Sequence, residues 1–168
     1  SHFKIYEHTN LKNINDNVYS QSKLLSENYL ENIKSKNITF FIARIFFAYG
    51  CEQKKNMLIK SLIAKVKSKD KIFLNGFNGI KINPIHAIDV CKILDKSIKN
   101  KISGIFNLAG PQVLSIKDIC LMISKKLKKP TVFIIKEKSF NIVSSINKIK
   151  KFYAPKITID KKINTIIN

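Results

Sequence analysis

Apolar positions along this chain switch between helical and strand-like spacing. From Val18 to Leu30 they fall at helical intervals, with Val18, Leu24, Leu25 and Leu30 among them. Asn15 or Asp16 is placed to cap that helix, which is expected to run to about Ile33. Lys23 and Glu27 stand at i, i+4 and are expected to pair on its surface. From Asn37 to Ile45 the run is nearly continuously apolar, which predicts a strand covered on both faces, as in a parallel sheet. A loop containing Tyr49-Gly50 follows. Met57 to Lys67 reads as a helix, and Lys71 to Leu74 as a short strand closed by the turn signals Asn75-Gly76 and Asn78-Gly79.

The second half repeats the alternation. Pro84-Ile85-His86 leads into a helix over Ala87 to Lys99, then Gly104 to Leu108 is a buried strand ending at the turn Gly110-Pro111. Ser115 caps a helix to about Lys128, with Asp118 at the position of a capping-box acid. Thr131 to Ile135 is a strand, and the tail from Ser144 reads as two short helical segments split by Pro155. Strands alternating with helices predict an α/β fold. No internal repeat, low-complexity block or long linker interrupts it.

With 168 residues, 45% of them hydrophobic, the chain has room for a proper core. No apolar run reaches the roughly 18 residues of a membrane span, and Arg44 breaks the longest candidate. The opening residues do not read as a signal peptide, so none is expected here, and Ser1 in place of Met is expected of a chain whose amino terminus is missing. The net charge of +20 invites a nucleic-acid reading. Two features argue against it: Arg44 is the only arginine, and the lysines are scattered over the whole length. Lys, Asn and Ile are over-used together and share AT-rich codons, so the charge reads as a solvated surface from a biased genome. Cys51, Cys91 and Cys120 are far apart and form no zinc pattern, and neither do His2, His8 and His86. Free thiols fit a reducing, cytoplasmic setting.

The strongest chemical signal is Tyr19-Ser20-Gln21-Ser22-Lys23. One helical turn brings the two side chains to the same face. A phenol ordinarily titrates near about 10, so a tyrosine acting as a base needs a neighbouring cation that favours the phenolate. Arg44, set among apolar residues, needs a charge partner and is expected to form a structural ion pair.

The order of the pieces narrows the reading. Tyr19-x-x-x-Lys23 is followed by Ala43-Arg44-Ile45-Phe46-Phe47-Ala48-Tyr49-Gly50, then Asn75-Gly76, then Asn83-Pro84-Ile85-His86-Ala87-Ile88-Asp89-Val90. Gly104-Ile105-Phe106-Asn107-Leu108-Ala109-Gly110 and Leu114-Ser115-Ile116 come next. This succession resembles the carboxy-terminal half of the extended short-chain dehydrogenase/reductases, and more narrowly the NAD-dependent epimerase/dehydratase family acting on nucleotide sugars. The resemblance covers nearly the whole chain. It implies the later part of a Rossmann-type, doubly wound parallel sheet plus the small substrate-binding lobe, with the first βαβ half missing. Residues 1–55 and about 80–110 would be sheet elements, and about 56–80 and 111–168 the lobe. The family's Gly-rich pyrophosphate loop has no counterpart among the five glycines.

By the same resemblance, Tyr19 moves a proton to or from a sugar hydroxyl, and Lys23 bonds the nicotinamide ribose and keeps the tyrosine acidic. The family's catalytic Ser or Thr falls at Ser1 or His2, and Ser1 is the candidate. Phe46 matches a cofactor-side position. Phe47 stands where the family offers an Asn to the sugar diphosphate, and Ile82, beside Lys81, where it often has a pyrophosphate-clamping Arg. Lysine supplies charge but no bidentate fork. His86 and Asp89 match a His and an Asp that open a helix, and are read as structural, with Asp89 complementing the helix dipole. Asn107 either makes a loop bond or faces the cleft.

The expected activity is therefore an NAD- or NADP-dependent epimerase, dehydratase or reductase of a nucleotide sugar, dimeric through the Tyr19 helix. The alternative is a truncated or non-catalytic family member with a binding or regulatory role. A basic nucleic-acid-binding module rests on charge alone. The particular sugar, the choice between NAD and NADP, and the fate of the hydride are not written in these residues.

Overall fold

A computed structural model of the chain describes residues 4–7, 18–33, 38–137 and 140–167. Its elements begin with β1 (Lys4–Ile5), α1 (Val18–Asn32), β2 (Phe41–Ile45), α2 (Leu58–Ser68), β3 (Lys71–Asn75), β4 (Lys81–Ile82) and α3 (Ala87–Lys99). They continue with β5 (Gly104–Leu108), β6 (Leu114–Ser115), α4 (Ile116–Leu127), β7 (Val132–Lys136), β8 (Val143–Ser144), α5 (Asn147–Lys150) and α6 (Ile159–Ile167). Asn15 and Asp16, the expected caps of α1, lie outside the described residues, as do Ser1, His2 and His8.

Two parallel strand pairs organise the fold. β2 runs beside β5 with Phe41 opposite Gly104 and Ile45 opposite Leu108, and β3 runs beside β7 with Lys71 opposite Val132. Two-residue pairs add to these: β1 with β8 in parallel, and β4 with β6 antiparallel. The expectation of a fully covered β2 is corrected: its residues are half-buried, and Ile45 is 48% exposed. Among the described residues only β5 pairs with it.

Two apolar clusters form the core. One joins Ile59, Ile63 and Val66 of α2, Ile72 and Leu74 of β3, Ile119 and Ile123 of α4, and Ile163 and Ile166 of α6. These helices present one apolar stripe each, at i, i+3, i+4 and i+7 in α2 and α4 and at i, i+4, i+7 and i+8 in α6. The other joins Val90 and Ile93 of α3, Phe106 and Leu108 of β5, and Ile149 of α5. There Phe41 stacks on Phe106 at 4.8 Å between centroids, and Phe152 meets both rings edge-on. The capping box at Ser115 forms as expected. The Ser115 hydroxyl accepts from Asp118 N–H at 3.0 Å, and the Asp118 carboxylate accepts from Ser115 N–H at 2.9 Å.

The C-terminal ends of β2 and β5 are knitted to the segment before α3. Phe46 N–H donates to Leu108 O, Tyr49 N–H to Ile85 O, Ala87 N–H to Tyr49 O, and Gly110 N–H to Asn83 O, all at 2.8–2.9 Å. Glycine is required at 110, because a Cβ there would lie 1.9 Å from the carbonyl oxygen of Pro84.

Asp89 does more than complement a helix dipole. It is 1% exposed, and its carboxylate accepts from Tyr153 Oη at 2.7 Å, Lys156 N–H at 3.0 Å and Ile157 N–H at 2.8 Å. The start of α3 thereby holds the segment leading into α6. Burial, then the bond to Asp89, pushes the Tyr153 phenol up to about 12. Tyr49, 1% exposed, donates to Ile157 O at 3.4 Å, and burial raises its phenol above the ordinary value as well. His86 caps α3 by accepting Ile88 N–H on Nδ1 at 3.1 Å and packs edge-on against Tyr49.

Two predictions follow from these contacts. Asp89→Asn weakens three bonds at a buried site and is expected to lower unfolding free energy by about 2–4 kcal/mol, read by urea denaturation. Burial, followed by the charge of Lys162, lowers the pKa of His86 from its ordinary 6.5. The unfolded chain thus takes the proton first, so this contribution to stability is whole above 6.5 and is lost as the pH falls toward the lowered value. His86→Asn keeps a capping acceptor that does not titrate. Its urea midpoint is expected to fall less than the wild-type midpoint between about pH 7 and pH 5.

Candidate active site

Helix α1 carries the two residues singled out by the sequence. Ser22 and Ser26 turn their hydroxyls back onto the helix, donating to Tyr19 O and Ser22 O at 2.8 Å each. That keeps them from competing for other backbone groups. Tyr19 is 71% exposed, and the Lys23 ammonium lies over its ring, 5.4 Å from the centroid. The pair thus shares one face, with both polar groups open to solvent. No residue of α1 is buried, and Val18, Leu25 and Tyr29 are exposed with Tyr19.

The expected Lys23–Glu27 pair gives way to a stronger one. Arg44 Nε–H donates to Glu27 Oε1 at 3.0 Å and to Oε2 at 3.1 Å, and Nη2–H donates to Oε2 at 2.6 Å. Lysine has no such fork, so the arginine takes the carboxylate. Arg44 Nη1–H also donates to Glu7 O at 3.0 Å, and Glu7 Oε1 accepts Asn107 N–H at 3.2 Å. The structural ion pair expected of Arg44 is present. Asn107 itself is fully buried.

The other candidates lie on separate elements. Phe46 and Phe47 follow the end of β2. Phe47 has φ of +47°, a conformation better suited to Asn or Gly, and its side chain packs against the cluster around α2. Lys81 lies in β4, where its N–H donates to Asn141 Oδ1 at 2.8 Å and its side chain is half-buried. Ile82, which the resemblance set where an arginine was expected, is 0% exposed in the core. No hydrogen bond or ring contact among the described residues joins Tyr19 or Lys23 to Phe46, Phe47 or Lys81. Ser1 lies outside the described residues.

Sequence reasoning missed Glu27 as the partner of Arg44 and Glu7 as the bridge to β5. Nothing local marks either contact, because Glu27 and Arg44 are 17 positions apart and Glu7 and Arg44 are 37 apart. Cys51 and Cys91 are exposed thiols, and Cys120 is buried with its thiol pushed up to about 12. No group of three or more His, Cys, Asp or Glu among the described residues is placed to hold a metal ion. Among them too, no helix is long and apolar enough to cross a membrane.

Known proteins give the arrangement a context. The chain is similar in fold to MoeE5 in complex with UDP-glucuronic acid and NAD, with a TM-score of 0.83 at 14% identity over 99% of this chain and 59% of that one. It is similar to UDP-glucuronic acid 4-epimerase from Bacillus cereus in complex with NAD, with a TM-score of 0.82 at 21% identity over 99% of this chain and 56% of that one. It is also similar to dTDP-glucose 4,6-dehydratase from Bacillus anthracis in complex with NAD, with a TM-score of 0.77 at 17% identity over 98% and 55%. The chain thus spans less than three-fifths of the length of these solved structures. No curated protein sequence matches it. The family model described as NAD dependent epimerase/dehydratase matches residues 5–109, which hold Tyr19, Lys23, Arg44 and His86. The chain belongs to the NAD-dependent epimerase/dehydratase family.

Proposed function

We propose that this chain forms the substrate-side portion of a nucleotide-sugar epimerase or dehydratase, with Tyr19 as the proton-transfer residue and Lys23 as its partner. The observation that carries this reading is the stacked, solvent-open Tyr19–Lys23 pair on one face of α1, within the stretch matched by the family model. The rest of the chain supports the choice of tyrosine. Tyr49 is buried and Tyr153 half-buried, and both phenols are already engaged, Tyr49 donating to Ile157 O and Tyr153 to Asp89, whereas the Tyr19 ring is open to solvent.

An exposed phenol and an exposed ammonium one turn apart are a suitable donor set for ribose hydroxyls, so the residues present fit the nicotinamide end of NAD or NADP. The adenosine and pyrophosphate end finds no Gly-rich loop in this sequence. When bound, the cofactor supplies hydride exchange at a sugar carbon. Tyr19 exchanges the proton of the adjacent sugar hydroxyl, and the Lys23 ammonium stabilises negative charge on the phenol oxygen and orients the ribose. Ser1 is the candidate third hydroxyl, and Phe46 a wall on the cofactor side. We place the sheet elements of this enzyme at 1–55 and about 80–110 and the substrate lobe in the remainder, with Lys81 reaching the sugar diphosphate and Phe47 beside it. Phe47 brings no hydrogen-bond donor to that place, so the diphosphate is held by charge more than by directed bonds. A cytoplasmic location fits the free thiols.

The decisive variant is Tyr19→Phe in the complete protein. It is expected to lower kcat by about 100-fold or more with the melting temperature unchanged, because an exposed hydroxyl is lost. Steady-state kinetics on UDP- and dTDP-hexoses would read it, and unchanged turnover would remove Tyr19 from the mechanism. The exposed Val18, Leu25 and Tyr29 on a helix with no buried residue support a homodimer through α1. Sedimentation equilibrium is expected to give a dimer that Leu25→Glu converts to monomer.

A further inference from the structure

We propose that the Arg44–Glu27 ion pair is the positioning element that fixes the rotation of α1 and so aims Tyr19 and Lys23 together. This inference rests on the proton-transfer reading above. No side chain of the helix is fully buried, and only Ser20, Leu24, Glu27 and Leu30 are half-buried, so packing within the chain leaves its azimuth loosely held and a directed polar contact adds the constraint. Arg44 and Glu27 supply one. Their side chains are only 13% and 16% exposed, and three N–H···O contacts of 2.6–3.1 Å join them. The other ion pair among the described residues, Lys99–Asp95, is 69% and 58% exposed and joins residues of a single helix.

Helical geometry carries the constraint to the site. Tyr19, Lys23 and Glu27 follow one another at intervals of four residues and occupy an arc of about 80° on the helix. A rotation of α1 about its axis therefore moves all three together, and clamping Glu27 clamps the other two. Arg44 is itself fixed: it lies in β2 opposite Asn107 of β5, and its third nitrogen, Nη1, donates to Glu7 O. Glu7 in turn accepts from Asn107 N–H. The clamp is thus anchored to two strands and to the segment after β1.

Composition supports the assignment. Of 31 basic residues, Arg44 is the single arginine. A chain that uses lysine almost everywhere keeps a guanidinium where a bidentate carboxylate contact is made, a geometry lysine cannot reproduce. No hydrogen bond or ring contact among the described residues joins either side chain to the Tyr19–Lys23 pair, so both act through the helix.

The test uses Arg44→Lys, Arg44→Ala, Glu27→Gln and the exchanged pair Glu27→Arg with Arg44→Glu, in the complete protein. Hydrogen exchange over residues 18–26 is expected to quicken about ten-fold or more in Arg44→Ala and Glu27→Gln, less in Arg44→Lys, with α2 and α4 unchanged. The ring-current shift of the Lys23 side-chain protons over Tyr19 should shrink in step. In turnover of UDP- or dTDP-hexoses, kcat is expected to fall about ten-fold with KM within about two-fold, and the exchanged pair to recover part of the loss. Unchanged exchange and ring-current shift in both Arg44→Ala and Glu27→Gln would overturn the proposal. So would loss of protection spread evenly over all helices, or a loosened α1 with kcat intact. Failure of the underlying reading looks different: Tyr19→Phe then leaves turnover unchanged while the Arg44 variants still loosen α1.

Discussion

The parallel pairing of β2 with β5 is the constraint on which the rest of the structure depends. Five residues of each strand lie in register, from Phe41 beside Gly104 to Ile45 beside Leu108. That register delivers residues 46–49 and 107–110 to the same end of the pair, where the main chain from Asn83 to Ala87 binds both. It sets Arg44 opposite Asn107, with Glu7 bridging them. It also stacks Phe41 on Phe106 within the cluster that receives α3 and α5. Shifting the register by one residue would turn every one of these side chains to the opposite face.

Much of the fold was legible because its boundaries are local. α3 and β5 occupy the residues expected from their apolar runs, since a capping histidine opens one and a glycine–proline turn follows the other. The capping box of α4 is likewise written in Ser115 and Asp118. The two-residue strands β1, β4, β6 and β8 were not legible, because two residues carry no periodicity. Asp89 shows the deeper limit. Its position in a first helical turn is a local fact, but its partners lie 64 to 68 residues further on and are mostly backbone groups. No side-chain pattern announces them.

The candidate site divides in the same way. Tyr19 and Lys23 are four residues apart on one helix, so their juxtaposition follows from helical geometry wherever the helix sits. What holds that helix follows from tertiary contacts. The local expectation that Glu27 pairs with Lys23 lost to the guanidinium of Arg44, whose planar fork matches a carboxylate better than a flexible ammonium does. Phe47 and Ile82 mark where the chain departs from its family's pattern. One takes a left-handed backbone conformation while packing on the core, and the other is buried where the resemblance led to an expected arginine.

The role proposed for α1 is to present Tyr19 and Lys23 to a sugar and a nicotinamide ribose. The most direct measurement is a crystal structure of the complete protein with NAD and a UDP-hexose bound. Tyr19 Oη is expected within hydrogen-bond distance of the reacting sugar hydroxyl, with Lys23 Nζ on the ribose and the Arg44–Glu27 pair intact behind them. A bound cofactor whose nicotinamide lies away from α1, with Tyr19 and Lys23 still facing solvent, would contradict it.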